Sequence, residues 1–211
     1  MKVLVVGSGG REHAIVDALF RSPSVDKIYC APGNAGIAKQ AECVAIKDTD
    51  VAGLKQFVKD NAVDLTVVGP EAALAVGIAD EFRKDGLKIF GHTKSAARIE
   101  TSKEFAKELM AKYDIPTAGY KAFDNYDEAV AYVEARPLPA VLKYDGLAAG
   151  KGVVIAETMD EAREALRDML LDDRFGKGRV VVEDYLEGPE FSLMCFVAHT
   201  IFVPSSRQWH S

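Results

Sequence analysis

Cysteine is scarce in this chain. Cys30, Cys43 and Cys195 are odd in number, far apart and without C-x-x-C spacing. That excludes a disulfide framework and a paired-thiolate zinc site, and leaves buried free thiols as the expected state. Long apolar runs are also missing. No stretch approaches the roughly 20 residues of a membrane-spanning helix, and the chain opens on the strand-like KVLVV without a basic and then apolar leader. The expected compartment is the cytoplasm, with no membrane partner. Positive charge is outweighed, with 26 Lys and Arg against 32 Asp and Glu and a formal net charge of −6. This balance argues against nucleic acid as a partner, so a phosphate ligand has to be gripped locally. The four histidines form no Ser-His-Asp or Cys-His set: His92, His199 and His210 have no evident partner, and His13 reads as a helix-face residue. What is present is an ordinary globular composition, 211 residues with 48% hydrophobic and 27% charged, enough for one large or two small domains.

The first hundred residues alternate short apolar strands with helical segments. KVLVV, KIYCA, LTVVG and KIFG are the strands; Glu12 to Arg21, Val51 to Asn61 and a stretch around Gly77 to Asp85 are the helices. Strands alternating with helices predict an α/β fold with a parallel, doubly wound sheet. Such sheets bind ligands beyond the carboxyl ends of their strands, which is where the glycine-rich turns GSGGRE, APGNAG and GPEAA fall. A dinucleotide fingerprint would need glycine at Glu12 and an acidic residue closing the second strand. Glu12 and the run Cys30-Ala31-Pro32-Gly33 supply neither, so NAD is disfavoured. A small phosphorylated ligand fits better. Its candidate contacts are Gly9, Gly10 and Arg11 at a helix N-terminus, the amide of Asn34, and Gly36 and Glu71 in the second and third turns.

Past about Ala96 the pattern changes to a helix, SKEFAKELMAKY, stopped by Asp114-Ile115-Pro116. Beyond it come strand 119 to 123, helix 126 to 135, strands 140 to 144 and 152 to 156, helix 159 to 171 and strand 179 to 185. That β-α-β-β-α-β order is the split unit of a small two-layer domain. Asn125 and Thr158 are placed to start its helices. Between its two middle strands lies VLKYDGLAAGKGVV, with Lys143 ending one strand and Lys151 opening the next. Gly146, Gly150 and Gly152 leave backbone amides open to anionic oxygens. A Walker A loop is excluded because the glycine spacing is short, Gly152 replaces the Mg²⁺-binding hydroxyl, and a strand follows where a helix is required. The loop reads instead as a cover over a nucleotide's phosphates. After the last strand, the extended segment Glu183, Asp184, Tyr185 and Leu186 can offer backbone groups to an adenine edge, with Glu190 reaching the ribose.

In their order GSGGREHA, APGNAG, VVGPEAAL, GLKIFG, TSK, DGLAAGKGVV and VEDYLEGPEFS resemble the phosphoribosylamine–glycine ligase family of the ATP-grasp superfamily, over nearly all of residues 1 to 197. The resemblance implies a substrate domain at 1–100 (the pre-ATP-grasp domain) and an incomplete ATP-grasp region at 101–211, with a mobile lid at about 118–186. It adds Lys103 to Lys143 as a contact of the ATP phosphates. The activity it implies is ATP-dependent ligation of glycine to 5-phosphoribosylamine in purine biosynthesis, with ATP and Mg²⁺ or Mn²⁺ as cofactors in full-length members. Tyr144, His92 and Pro189 depart mildly from the family pattern. After Phe196 the departure is larger: HTIFVPSSRQWHS replaces the expected segment that carries the metal-binding Glu and Asn. The expectation is a truncated ligase, inactive alone and without a metal site of its own. A non-catalytic nucleotide-binding module, or another ATP-grasp carboxylate–amine ligase, stays open beside it.

Overall fold

A computed structural model describes residues 1–148, 151–172, 174–193, 195–198 and 201–204. Its first layer is a five-stranded parallel sheet in the order β3-β2-β1-β4-β5, formed by β1 (Lys2–Gly7), β2 (Lys27–Pro32), β3 (Glu42–Cys43), β4 (Leu65–Val68) and β5 (Ile89–Phe90). The central strand β1 is an apolar run because both of its faces are covered. Leu4 and Val6 pack with Leu54, Val58, Ile78 and Phe82 on one side, while Val5 packs with Val16, Ile28 and Ile37 on the other. The covering helices are α1 (Gly10–Phe20), α2 (Val51–Asp60), α3 (Glu71–Ala75) and α4 (Ile78–Lys84). The register Val6↔Ala31 and Val6↔Val68 brings the turns after β1, β2 and β4 to one edge.

The helices differ from the sequence-based expectation in three places. Helix α1 starts at Gly10 rather than Glu12, and Glu12 becomes a buried residue of its first turn. The helix expected around Gly77 to Asp85 is α4, and the short α3 precedes it, parted from it at Gly77, which takes a left-handed φ of 90°. Likewise the expected helix SKEFAKELMAKY is α6 (Lys103–Lys112), and a further helix, α5 (Lys94–Thr101), precedes it, separated by Ser102. Ser102 leaves helical geometry at φ −135° and ψ 112°, and its hydroxyl accepts from Phe105 N at 3.1 Å, a side-chain N-cap.

The second layer is a four-stranded antiparallel sheet in the order β6-β9-β7-β8. Its strands are β6 (Tyr120–Phe123), β7 (Ala140–Asp145), β8 (Val153–Ala156) and β9 (Arg179–Asp184), joined through α7 (Tyr126–Glu134) and α8 (Met159–Leu170). The predicted β-α-β-β-α-β order is present. Asn125 and Thr158 cap α7 and α8, and Thr158 forms a full capping box with Glu161. Strand β7 alternates in burial: Ala140, Leu142 and Tyr144 enter the core under α7 and α8, with Phe123, Val133, Leu166 and Val182. Period-two alternation therefore turns Val141, Lys143 and Asp145 to the opposite face. The strands β10 (Cys195–Ala198) and β11 (Ile201–Pro204) follow as an antiparallel pair. Among the described residues no helix is long and apolar enough to cross a membrane.

Candidate functional site

On the face of the second sheet turned away from α7 and α8, four charged side chains from three elements meet. Glu183 of β9 is only 6% exposed and accepts two ammonium groups, Lys107 Nζ of α6 at 2.9 Å on Oε2 and Lys143 Nζ of β7 at 3.0 Å on Oε1. Lys107, 7% exposed, also donates to Thr117 Oγ1 at 2.7 Å and the Ala118 carbonyl at 3.4 Å, so this buried cation is well satisfied. Lys103, one helical turn before Lys107, donates to the Gly146 carbonyl at 3.0 Å. Burial, and after the carboxylates the like charge of Lys143, hold the Lys103 ammonium below its ordinary 10.5, with Asp145 as the main opposing influence. Two of these ammonium groups, Lys103 and Lys143, border the loop that joins β7 to β8.

Asp145 locks that loop to α6. Its carboxylate accepts Lys103 N at 2.5 Å, Glu104 N at 3.2 Å and the Ser102 hydroxyl at 3.2 Å, filling the helix N-terminus with an internal anion. Arg179 at the start of β9 adds a second tie, with Nη1 donating to both oxygens of Glu104 at 2.6 and 2.8 Å. Gly146 follows at φ +156°, and a Cβ on it would lie 2.8 Å from the Tyr144 ring. Tyr144 does not crowd Lys143. It faces the helical core, stacks at 5.4 Å on Phe175 and donates its hydroxyl to the Gly176 carbonyl at 3.2 Å. Its ring thus supports two loops at once, 146–152 and 174–178. Gly152 closes the first by accepting from Tyr144 N at 2.7 Å, and Lys151 is exposed beside it. Gly150 lies outside the described residues.

The adenine-edge candidates diverge. Glu183 is the buried ion-pair centre already described, and Asp184 pairs with Arg136 at 2.5 Å while its N–H donates to Gly119. Tyr185 and Leu186 lie past the end of β9 and are exposed, as is Glu190.

At the edge of the parallel sheet, the substrate-phosphate candidates fall together but are already bonded to one another. Glu12 Oε2 accepts from Gly9 N at 2.6 Å and Oε1 accepts from Arg11 Nε at 3.0 Å, while Arg11 Nη1 reaches Glu71 at 3.0 Å. The hydrogen bond to Glu71, more than that to Glu12, raises Arg11 above its ordinary value, and Arg11 in turn lowers Glu71. Asn34 binds across the turns: its amide donates to the Ser8 carbonyl at 2.7 Å, and its Oδ1 accepts from Gly36 N at 2.8 Å and Ile37 N at 2.9 Å. Beside it a groove of about 440 Å³ runs between α1 and the 3-10 turn Ile37–Lys39, lined by Gly10, His13, Asp17, Gly36, Lys39 and Gln40. Sequence reasoning singled out neither Lys107 nor Asp145. The available signal for the first was its spacing of four from Lys103 on a helix.

Among the described residues no group of three or more His, Cys, Asp and Glu is placed to hold a metal ion. Asp145 and Glu183, the carboxylates nearest the lysines, are committed to α6 and to the ammonium groups. These residues do not fit a divalent cation.

Residues 1–100 match the N domain of phosphoribosylglycinamide synthetase and residues 101–209 its ATP-grasp (A) domain. The phosphoribosylamine–glycine ligase of Halalkalibacterium halodurans is 53% identical over 206 residues, 97% of this chain and 48% of that protein. That of Streptococcus pneumoniae is 53% identical over 200 residues, 93% and 48% of the two chains. The chain therefore spans about half the length of the curated relatives it matches. Among solved structures, the phosphoribosylamine–glycine ligase of Thermotoga maritima superposes with a TM-score of 0.78 at 30% identity, covering 97% of this chain and 49% of that one. A carboxyaminoimidazole ribonucleotide synthase from Aspergillus clavatus, complexed with ATP, has the same fold at TM-score 0.75 and 20% identity, covering 96% and 52%.

Proposed function

The chain belongs to the phosphoribosylglycinamide synthetase family, and from that premise we propose that it supplies the substrate-phosphate edge and the ATP-phosphate cover of an enzyme joining glycine to 5-phosphoribosylamine. The products are glycinamide ribonucleotide, ADP and phosphate, formed in the cytoplasm. What supports the reading above all is the placement of Lys103 and Lys143, from a helix and a strand, beside the loop from Gly146 to Gly152.

In this reaction a carboxylate oxygen of glycine attacks the γ-phosphorus of ATP and ADP leaves. The amine nitrogen of 5-phosphoribosylamine then attacks the acyl carbon, gives up a proton, and phosphate leaves. No enzyme nucleophile takes part, so the protein contributes by placing the reactants, neutralising charge and excluding water. Lys103 and Lys143 neutralise the triphosphate, helped by Lys151. The loop with Gly146, Gly150 and Gly152 closes over it, Glu183 to Leu186 hold the adenine, and Glu190 holds the ribose. Gly10, Asn34 and Gly36 approach the substrate's phosphate with Arg11, which Glu71 orients, while the N–H of Gly9 stays on Glu12.

Because the chain spans about half the length of its relatives, ATP binding rather than turnover is the direct readout. Calorimetric titration with ATP should lose about 10- to 100-fold in affinity for Lys103→Ala and for Lys143→Ala. That range is the roughly 1.5–3 kcal/mol of a charged hydrogen bond, at about tenfold per 1.4 kcal/mol. An ATP affinity indifferent to both substitutions would remove the basis of the proposal.

A further inference from the structure

The run Gly7-Ser8-Gly9-Gly10-Arg11-Glu12 is a G-x-G-x-x-G fingerprint with its third glycine replaced by glutamate. In the fingerprint, the second glycine lets the backbone approach a pyrophosphate seated on the helix N-terminus, and the third lets the helix pack closely on the strands. Here the Glu12 side chain fills the third glycine's place, between α1 and the ends of β1 and β4. A Cβ on Gly7 would stand 2.6 Å from its Cγ, one on Gly69 2.1 Å from its Oε1, and one on Gly9 3.0 Å from its Oε2. The ends of β1 and β4 and the start of α1 are thus all glycine around one carboxylate, which is 3% exposed and already takes the N–H of Gly9 and the Nε of Arg11.

We propose that Glu12 is a specificity-determining residue, an internal anion that holds the N–H of the fingerprint's second glycine and charges the start of α1 against a dinucleotide's pyrophosphate. It keeps dinucleotides off this sheet edge and leaves the outer rim, Arg11 and the groove by Gly36, to a phosphate monoester. The exclusion follows because a second anion would meet this buried carboxylate and would have to displace it from the N–H group and guanidinium that neutralise it. The three glycines serve this side chain first, which separates their role from that of glycines which bare a backbone for a ligand. The identity of the admitted monoester rests on the function proposed above; the exclusion does not.

The test is a titration of the full chain, followed by amide NMR at Gly9 and Gly10, with inorganic pyrophosphate, NAD⁺ and ribose 5-phosphate as probes. In the unsubstituted chain, pyrophosphate and NAD⁺ should leave the Gly9 amide unmoved. Glu12→Gly, which restores the fingerprint, and Glu12→Ala, which keeps a better helix former, should gain pyrophosphate affinity by about tenfold or more, the equivalent of one charged hydrogen bond. Glu12→Gln, which keeps an acceptor for Gly9 N and loses only the charge, should gain less than either. Folded Gly and Ala variants with no gain overturn the proposal, and so does a pyrophosphate-induced shift of Gly9 in the unsubstituted chain. Should both variants fail to fold, that last measurement decides by itself. Ribose 5-phosphate that fails to bind counts against the substrate reading and leaves the exclusion result standing.

Discussion

Replacing Lys107 by methionine keeps the side-chain length and removes one charge from the centre of the Lys107–Glu183–Lys143 cluster. Lys107 and Glu183 are 7% and 6% exposed, and their 2.9 Å contact is shielded from water by α6 and β9. Breaking a buried pair by removing one partner costs about 3–5 kcal/mol, because the survivor is left uncompensated. Here Glu183 keeps Lys143 at 3.0 Å, so Lys107→Met should fall at the lower end, about 3 kcal/mol. Glu183→Leu leaves Lys107 with the Thr117 hydroxyl, the Ala118 carbonyl and the Tyr120 ring but no counter-charge and should reach the upper end, about 5 kcal/mol. The double variant Lys107→Met/Glu183→Leu removes both buried charges. It should recover to within about 1–2 kcal/mol of the unsubstituted chain, as expected when an ion pair is exchanged for apolar groups. Urea unfolding followed by far-UV circular dichroism gives each free energy from the midpoint at constant m. The reasoning is refuted if Lys107→Met costs less than about 1 kcal/mol, the range of an exposed pair, or if the double variant shows the sum of the single losses.

Other expectations concern reactivity, pH and loop support. Burial, then the neighbouring Cys43 and Glu12, push the Cys30 thiol up to about 12, so iodoacetamide should label exposed Cys43 in the folded chain and spare Cys30 until it unfolds; equal labelling rates would contradict this. Lys103 binds phosphate only as the ammonium and is held below 10.5. ATP affinity should therefore decline as pH rises through that lowered value, earlier than for an ordinary lysine, and the decline should disappear in Lys103→Ala. Tyr144→Phe removes only the bond to the Gly176 carbonyl and should cost about 1 kcal/mol. Tyr144→Ala also empties the space under both loops and should cost about 3–5 kcal/mol; near-equal losses would show that the ring supports nothing.

Sequence by itself determined what depends on local pattern. The periodicities of KVLVV, LTVVG and VLKYD, the glycine-marked turns, and the caps at Asn125 and Thr158 fixed the elements, the parallel sheet and the β-α-β-β-α-β order, because helix and strand periods and capping chemistry act over a few residues. The motif order also carried the family. Only the tertiary structure decided what shares a space across the chain. Lys107, which nothing in the sequence reading singled out among the charges of α6, is buried because β9 brings Glu183 to it from 76 positions away. Tyr144 turned into the core, under the phosphate loop, rather than to the face that carries Lys143, because β7 alternates there, a choice set by register. Glu12 looked like a broken fingerprint. Its carboxylate came to lie between α1 and the strand ends because Gly69, far along the chain on β4's side of the sheet, leaves it room. Such pairings depend on which strands become neighbours, and no local pattern encodes that.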